Sequence, residues 1–259
     1  MACLRVIADG AWIGSMNMAR DEALLYGVSE KGAPPALRFY SWSRPTLSLG
    51  RNQKISGINL DALAKKGIDL VRRPTGGSSV LHEFEITYSA TFGIPKGSGS
   101  GIVASCRMIH ESILEALKAM GIETEMAPQA PSRRKSPDEP VCFASPSDTE
   151  LTTSGGTKVI GSAQMRRLGC LMQHGSIPYR MDPERLLSLF NETGCSERSI
   201  TRGIPVEGLE DRFAVLFAER LSKRLGLEAI QESLSECEEE EAERLNLEKY
   251  SAREWTERR

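Results

Sequence analysis

Two glycine-rich turns, each entered and left by an extended apolar stretch, constrain this chain most. The first, RRPTGGSSVLH at residues 72–82, follows the strand-like run Ile68 to Arg73. The second, Ser154-Gly155-Gly156, separates Thr149–Thr153 from Lys158–Gln164 in the pattern of a hairpin. Glycine lets backbone adopt tight turns and approach a ligand closely, so both turns are candidate walls of a binding site. Further strands are expected at residues 4–8 (as an edge), Ala36 to Ser43, Glu85 to Ile94 and Leu168 to Tyr179. Helices are expected at Ser15 to Tyr26, between Asn59 or Asp61 and Gly67, from Asp182-Pro183 onward, and over Leu209 to Leu225 before Gly226. Ile102, Cys106, Ile109, Ile113, Leu117 and Met120 form one apolar stripe at helical spacing. Strands come in pairs or before single helices, without βαβ alternation. The expected class is α+β, a mixed or antiparallel sheet in two layers with helices on one side.

The 259 residues suffice for one large domain or two modest ones. We expect a domain over 1–226 and a charged helical extension over 227–259, which carries consecutive glutamates at 238–241 and is packed by a few side chains such as Leu234, Leu245 and Leu247. A net charge of -2 gives no general attraction to nucleic acid or an anionic membrane. No apolar run reaches the ~18 residues of a membrane span, and Arg5 and Asp9 interrupt the N-terminal apolar stretch where a signal peptide would be continuous. Six scattered cysteines without CxxC pairs suggest reduced thiols in a cytoplasm, with no zinc site, other metal site or cofactor implied.

Two residues stand out chemically. Cys142 sits in a proline-rich loop with Arg133, Arg134 and Lys135 nearby, and cations favour the thiolate. It could equally be a small buried apolar residue beside Phe143. Lys158 precedes Gly161-Ser162-Ala163, three small residues that leave room against a strand, though a lysine after a hairpin turn is also an ordinary surface residue. His82 and His174 each adjoin a β run or a glycine and are either packed or functional, whereas His110 on its helix is read as structural. The Gly97-Ser98-Gly99-Ser100-Gly101 turn mimics a dinucleotide fingerprint, but its GxGxG spacing suits a flexible connector.

The chain resembles the biotin/lipoate protein ligase superfamily, and within it the single-domain octanoyltransferases acting on the glycine-cleavage H protein. The resemblance rests on Asn17-Met18-Ala19 with Asp21-Glu22-Ala23-Leu24-Leu25, RRPTGGSSVLH, EITYS at 85–89, PVCFASPSDTEL at 140–151, KVIGSAQ and LMQHGSI. It implies a catalytic fold shared with biotin ligases and class II synthetases. It also implies a nucleophilic thiol at Cys142 and an acyl-contacting lysine at Lys158. The acyl pocket would be lined by the Arg73–Gly77 turn (Arg73, Thr75, Gly76, Gly77), His82, and Gly161, Ser162, Ala163 and Gln164, with His174 of LMQHGSI beside them. The implied partners are octanoyl-acyl carrier protein as donor and a lipoyl-domain lysine as acceptor. Gly50-Arg51-Asn52-Gln53 is closer to the ATP-using ligases, and the turn reads Ser78-Ser79 where relatives differ. Three alternatives therefore stay open: an ATP-dependent lipoate ligase, a lipoyl or octanoyl amidotransferase, and a non-catalytic carrier-binding module.

Overall fold

The computed structural model describes residues 3–94, 101–127, 150–192 and 196–258. Cys142, the Arg133-Arg134-Lys135 cluster and residues 97–100 of the glycine turn lie outside them.

Five strands that include β1 (Cys3–Trp12), β2 (Ala36–Trp42), β6 (Phe84–Gly93), β9 (Gly161–Arg167) and β10 (Cys170–Arg180), with β11 (Glu228–Gln231), form a sheet ordered β11-β1-β2-β6-β10-β9. β1 runs parallel to β11 and β2, and the remaining pairs are antiparallel. The mixed α+β class is as expected. β1 is not an edge, however, because the charged segment after Gly226 supplies β11 beyond it.

Helices cover both faces of this sheet, where one was expected. Side-chain alternation in β10 shows it directly. Gln173 bonds Tyr88 and His110 of α3 (Ile102–Ala119) on one face, while the next residue, His174, bonds Asp21 of α1 (Gly14–Glu30) on the other. The first face is closed by α3 and α5 (Glu210–Leu225), whose Ile109, Ile113, Leu117, Phe213 and Phe217 pack on Leu37, Ile86 and Tyr88. On the second, α1 is itself covered by α6 (Glu236–Leu245) and the turn that follows it, through Met18, Ala19, Ala23, Ala242, Leu245 and Tyr250. The C-terminal segment is tied in by charge as well: Arg5 bonds Glu238 at 2.6 Å with both side chains buried, and Arg20 bonds Glu239 at 2.6 Å. Leu234 and Leu245 are buried as expected, but Leu247 is 78% exposed.

A small sheet, β4 (Asp69–Arg72), β3 (Thr46–Leu49) and β5 (Val80–His82) in that order, stands beside the large one. Its apolar side packs on α2 (Leu60–Lys66) and α4 (Pro183–Leu187) through Leu47, Leu63, Leu81 and Leu186. Two short strands, β7 (Glu125–Met126) and β8 (Leu151–Thr152), pair near the second glycine turn.

Candidate functional site

Between the small sheet and the β6–β10–β9 end of the large one lies a narrow cleft with an enclosed volume of about 30 Å³. Ser48, Val80 and His82 form one wall; Gly161, Ser162, Ala163, His174, Gly175 and Ser176 form the other; Met18, Tyr40, Arg73 and Thr87 complete it. Small and apolar side chains share the lining with Tyr40, Arg73, His82 and His174, whose polar atoms are hydrogen-bonded to neighbouring protein groups.

The turn after β4 is held by Arg73, whose side chain donates to the carbonyls of Ser48, Gly76 and Ser78 at 3.1, 2.7 and 2.7 Å. Gly50 packs against it so closely that a Cβ there would lie 1.8 Å from the Gly77 carbonyl oxygen, and Gly77 has φ +90°. Arg51 N–H donates to the Thr75 carbonyl at 2.7 Å. The Gly50–Gln53 and Gly76–Gly77 turns thus form one backbone-to-backbone unit, which only glycine at position 50 permits.

Two imidazoles frame the cleft. His174 lies between Asp21 (3.0 Å, through Nδ1) and the Thr75 hydroxyl (2.7 Å, through Nε2). His82 lies between Glu85 (2.5 Å, through Nδ1) and the Ser48 hydroxyl (2.8 Å, through Nε2), and stacks on Trp42 with ring centroids 4.0 Å apart. Carboxylates only accept, so each Nδ1 carries the proton and each Nε2 accepts from a hydroxyl, a tautomer assigned from this network. Burial pushes the His174 imidazole below its ordinary value and Asp21 only partly opposes this, so the ring is neutral near pH 7. Burial would raise Asp21, but bonds from His174 and Arg38 outweigh it and keep the carboxylate below its ordinary range.

Of the residues marked from sequence, Arg73, His82, Gly161, Ser162, Ala163 and His174 line the cleft together. Thr75 reaches it through His174, and Gly76 and Gly77 form the turn behind it. Gln164 points to the opposite face, where it bonds Gln173 at 2.6 Å. Lys158 is not on a regular strand and is no surface residue. It bridges Thr152, its side chain is 0% exposed, and Nζ donates to Glu150 at 2.6 Å. Sequence reading missed Ser48, Glu85, Arg38 and the role of Asp21. Spacing could have found two: Asn17 and Asp21 sit four apart on one helix face, and Arg38 and Tyr40 share one face of β2.

The mixed α+β sheet and the cleft beside paired glycine turns are those of a catalytic domain of the acyl-ligase and acyltransferase class. The chain belongs to the lipoyl protein ligase A/B catalytic domain family, which matches residues 14–216. It is 38% identical to Octanoyltransferase LipM of Carboxydothermus hydrogenoformans, with 98% of each chain covered. It is 37% identical to Octanoyltransferase LipM of Halalkalibacterium halodurans, covering 98% of this chain and 99% of the relative. Among solved structures it is similar to lipoate-protein ligase A bound with ATP (TM-score 0.80, 21% identity, 99% and 98% covered). It is also similar to the bipartite lipoate protein ligase of Thermoplasma acidophilum (TM-score 0.77, 20% identity, 99% and 97% covered). At these identities the structures establish the fold.

Proposed function

We propose that this acyltransferase of protein lipoylation moves an octanoyl group from acyl carrier protein, through a thioester on Cys142, to a lysine of a lipoyl-domain protein such as the glycine-cleavage H protein. The full-length likeness to octanoyltransferases supports the reaction. The observation that carries the reading is the cleft itself. Its charged lining residue, Arg73, is committed to the turn's carbonyls, which leaves walls of Met18, Val80, Gly161 and Ala163 for an alkyl chain. No helix among the described residues is long and apolar enough to cross a membrane, and we place the reaction in the cytoplasm with carrier-bound substrates.

Cys142 thiolate attacks the donor thioester and displaces the carrier thiol. The acceptor amine then attacks the new thioester, forming an amide and releasing Cys142. Thioester to amide is downhill, so the bond being broken supplies the driving force. We assign Lys158 to the acyl carbonyl oxygen as charge develops there, with Glu150 fixing where the ammonium sits; removing one such donor typically costs ~10²–10³ in rate.

Intact-mass measurement after mixing with octanoyl-carrier protein, without nucleotide, tests this. An octanoyl adduct is expected that hydroxylamine removes, that Cys142→Ser lacks, and that passes to a lipoyl domain. Pyrophosphate release from ATP plus free lipoate, with Cys142→Ser still lipoylating, would replace this reading with a ligase.

A further inference from the structure

The cleft holds two hydroxyl–imidazole–carboxylate rows, Ser48–His82–Glu85 and Thr75–His174–Asp21, and Arg73 links them. Its Nη1 donates to Ser48 Oγ and its Nε to Thr75 Oγ1, both at 3.2 Å. Each hydroxyl is thereby turned so that its own proton faces an imidazole Nε2.

The rows differ in what else holds the carboxylate. Asp21 accepts from Arg38 at 2.7 Å and from Tyr40 at 3.0 Å, and the Arg38 side chain is fully buried with it. A permanent cation already balances that carboxylate, so His174 gains little by taking a proton. Glu85 accepts from the Thr87 hydroxyl of β6 at 2.6 Å and from the Ser176 hydroxyl of β10, both neutral donors. Its recorded ion pair among the described residues is with His82. The groups facing His82 from other elements are Ser48 of β3, backed by Arg73, Trp42 of β2, stacked at 4.0 Å, and His174 of β10, which interacts with it electrostatically. An imidazolium at His82 would lie between a carboxylate and an indole face, both of which stabilise a cation. Lys158 is poorly suited to the same task, because its ammonium already donates to Glu150.

We propose that His82 accepts the proton lost by the acceptor lysine's amine as it attacks the acyl thioester, with Ser48 passing that proton on. The inference rests on the transfer reaction proposed above. The amine nitrogen bonds to the acyl carbon and the C–S bond breaks, its electron pair leaving on sulfur. One N–H proton moves to Ser48 Oγ while the Ser48 proton moves to His82 Nε2. His82 then returns the proton to solvent or to the released thiolate. Glu85 holds the ring and its charge without itself being protonated, the division of labour familiar from hydroxyl–imidazole–carboxylate hydrolases.

The two half-reactions separate the possibilities. Enzyme is loaded from octanoyl-carrier protein and followed by intact mass; purified octanoyl-enzyme is then mixed with lipoyl domain across pH 5–9. His82→Gln is expected to load and to transfer ~10²–10⁴-fold more slowly, as loss of a positioned base does. The pH dependence of transfer should flatten in this variant but persist in His174→Gln. Glu85→Gln, which serves if His82→Gln does not fold, should likewise load normally and transfer slowly. A transfer rate and profile equal to wild type in His82→Gln, or equal loss in both half-reactions, overturns the proposal. Failure of the wild-type enzyme itself to load would instead overturn the thioester reading.

Discussion

The two faces of the large sheet are built from opposite chemistry, and one strand shows the switch. In β2, Phe39 points to α5 and packs edge-on against Phe213 and Phe217 at 6.5 and 5.9 Å. Its neighbour Arg38 points to α1 and bonds Asp9, Asp21 and Asn17 at 2.6–2.7 Å, with its side chain 0% exposed. The α3/α5 face is mostly hydrocarbon, with ordinary close packing. The α1 face buries Arg38, Asp9, Asp21 and Arg20 in one bonded group. Buried ion pairs are a weak source of net stability, because desolvation offsets their attraction. Their consequence here is positional: Asp21 is fixed by Arg38 and in turn fixes His174 at the cleft. One face stabilises the sheet, and the other sets the geometry of the site.

The strongest way to break that comparison is Arg38→Met. It leaves Asp9 and Asp21 buried without their shared cation, and a stranded buried charge costs about 3–5 kcal/mol. We expect a denaturation midpoint lowered accordingly, with transfer by the remaining folded enzyme reduced as well, since His174 loses its fixed partner. A loss below ~1 kcal/mol with full activity would mean that the charged group is not what sets the site.

Ile113→Val sharpens the comparison from the other face. Ile113 is fully buried against the α3/α5 core and touches none of the cleft groups described. Removing one methyl there should cost about 0.5–1.5 kcal/mol. Turnover per folded molecule should be unchanged. A change in KM or kcat would couple the hydrocarbon face to the cleft and undo the division.

How legible each region was follows the same contrast. Elements bounded by local chemistry could be read in advance: Asn59 accepts from Ala62 N–H at 3.0 Å to start α2, and Gly67 and Gly226, at φ +64° and +68°, end α2 and α5. The apolar stripe of α3 likewise gave its buried face. By contrast, α1 turns Asn17, Arg20 and Asp21 inward, so an apolar-stripe reading finds the helix but not what it buries. Strand β11 was hidden because its four residues, Glu228–Gln231, are mostly exposed and show no apolar alternation, and only pairing with β1 makes it a strand. Gly161, Ser162 and Ala163 were legible because three small side chains leave room against a strand, whereas Arg73, His82 and His174 were placed at the cleft only by the family resemblance. The alternative of Lys158 as an ordinary surface lysine fails because its partner Glu150 lies eight residues back across the second glycine turn, where periodicity carries no pairing information.

The finest test of the charged face is its response to acid. His174 is held below the ordinary imidazole value chiefly by burial, with Asp21 opposing and Arg73 and His82 adding to the depression. The unfolded chain, with its ordinary value near ~6.5, therefore takes up a proton on acidification before the folded chain does. Stability from this residue is present above that pH and is lost as pH falls from it toward the folded-state value. Asp21, whose folded value is also depressed, acts in the same sense but below about pH 4, outside a titration run from pH 7 to pH 5. We therefore expect wild-type unfolding free energy to fall between pH 7 and pH 5, and to fall less in His174→Gln. Urea denaturation at the two pH values measures the difference directly. An equal or steeper fall in the variant would mean that folding does not keep His174 neutral, and that the charge beneath the cleft is arranged otherwise than Arg38 and Asp21 indicate.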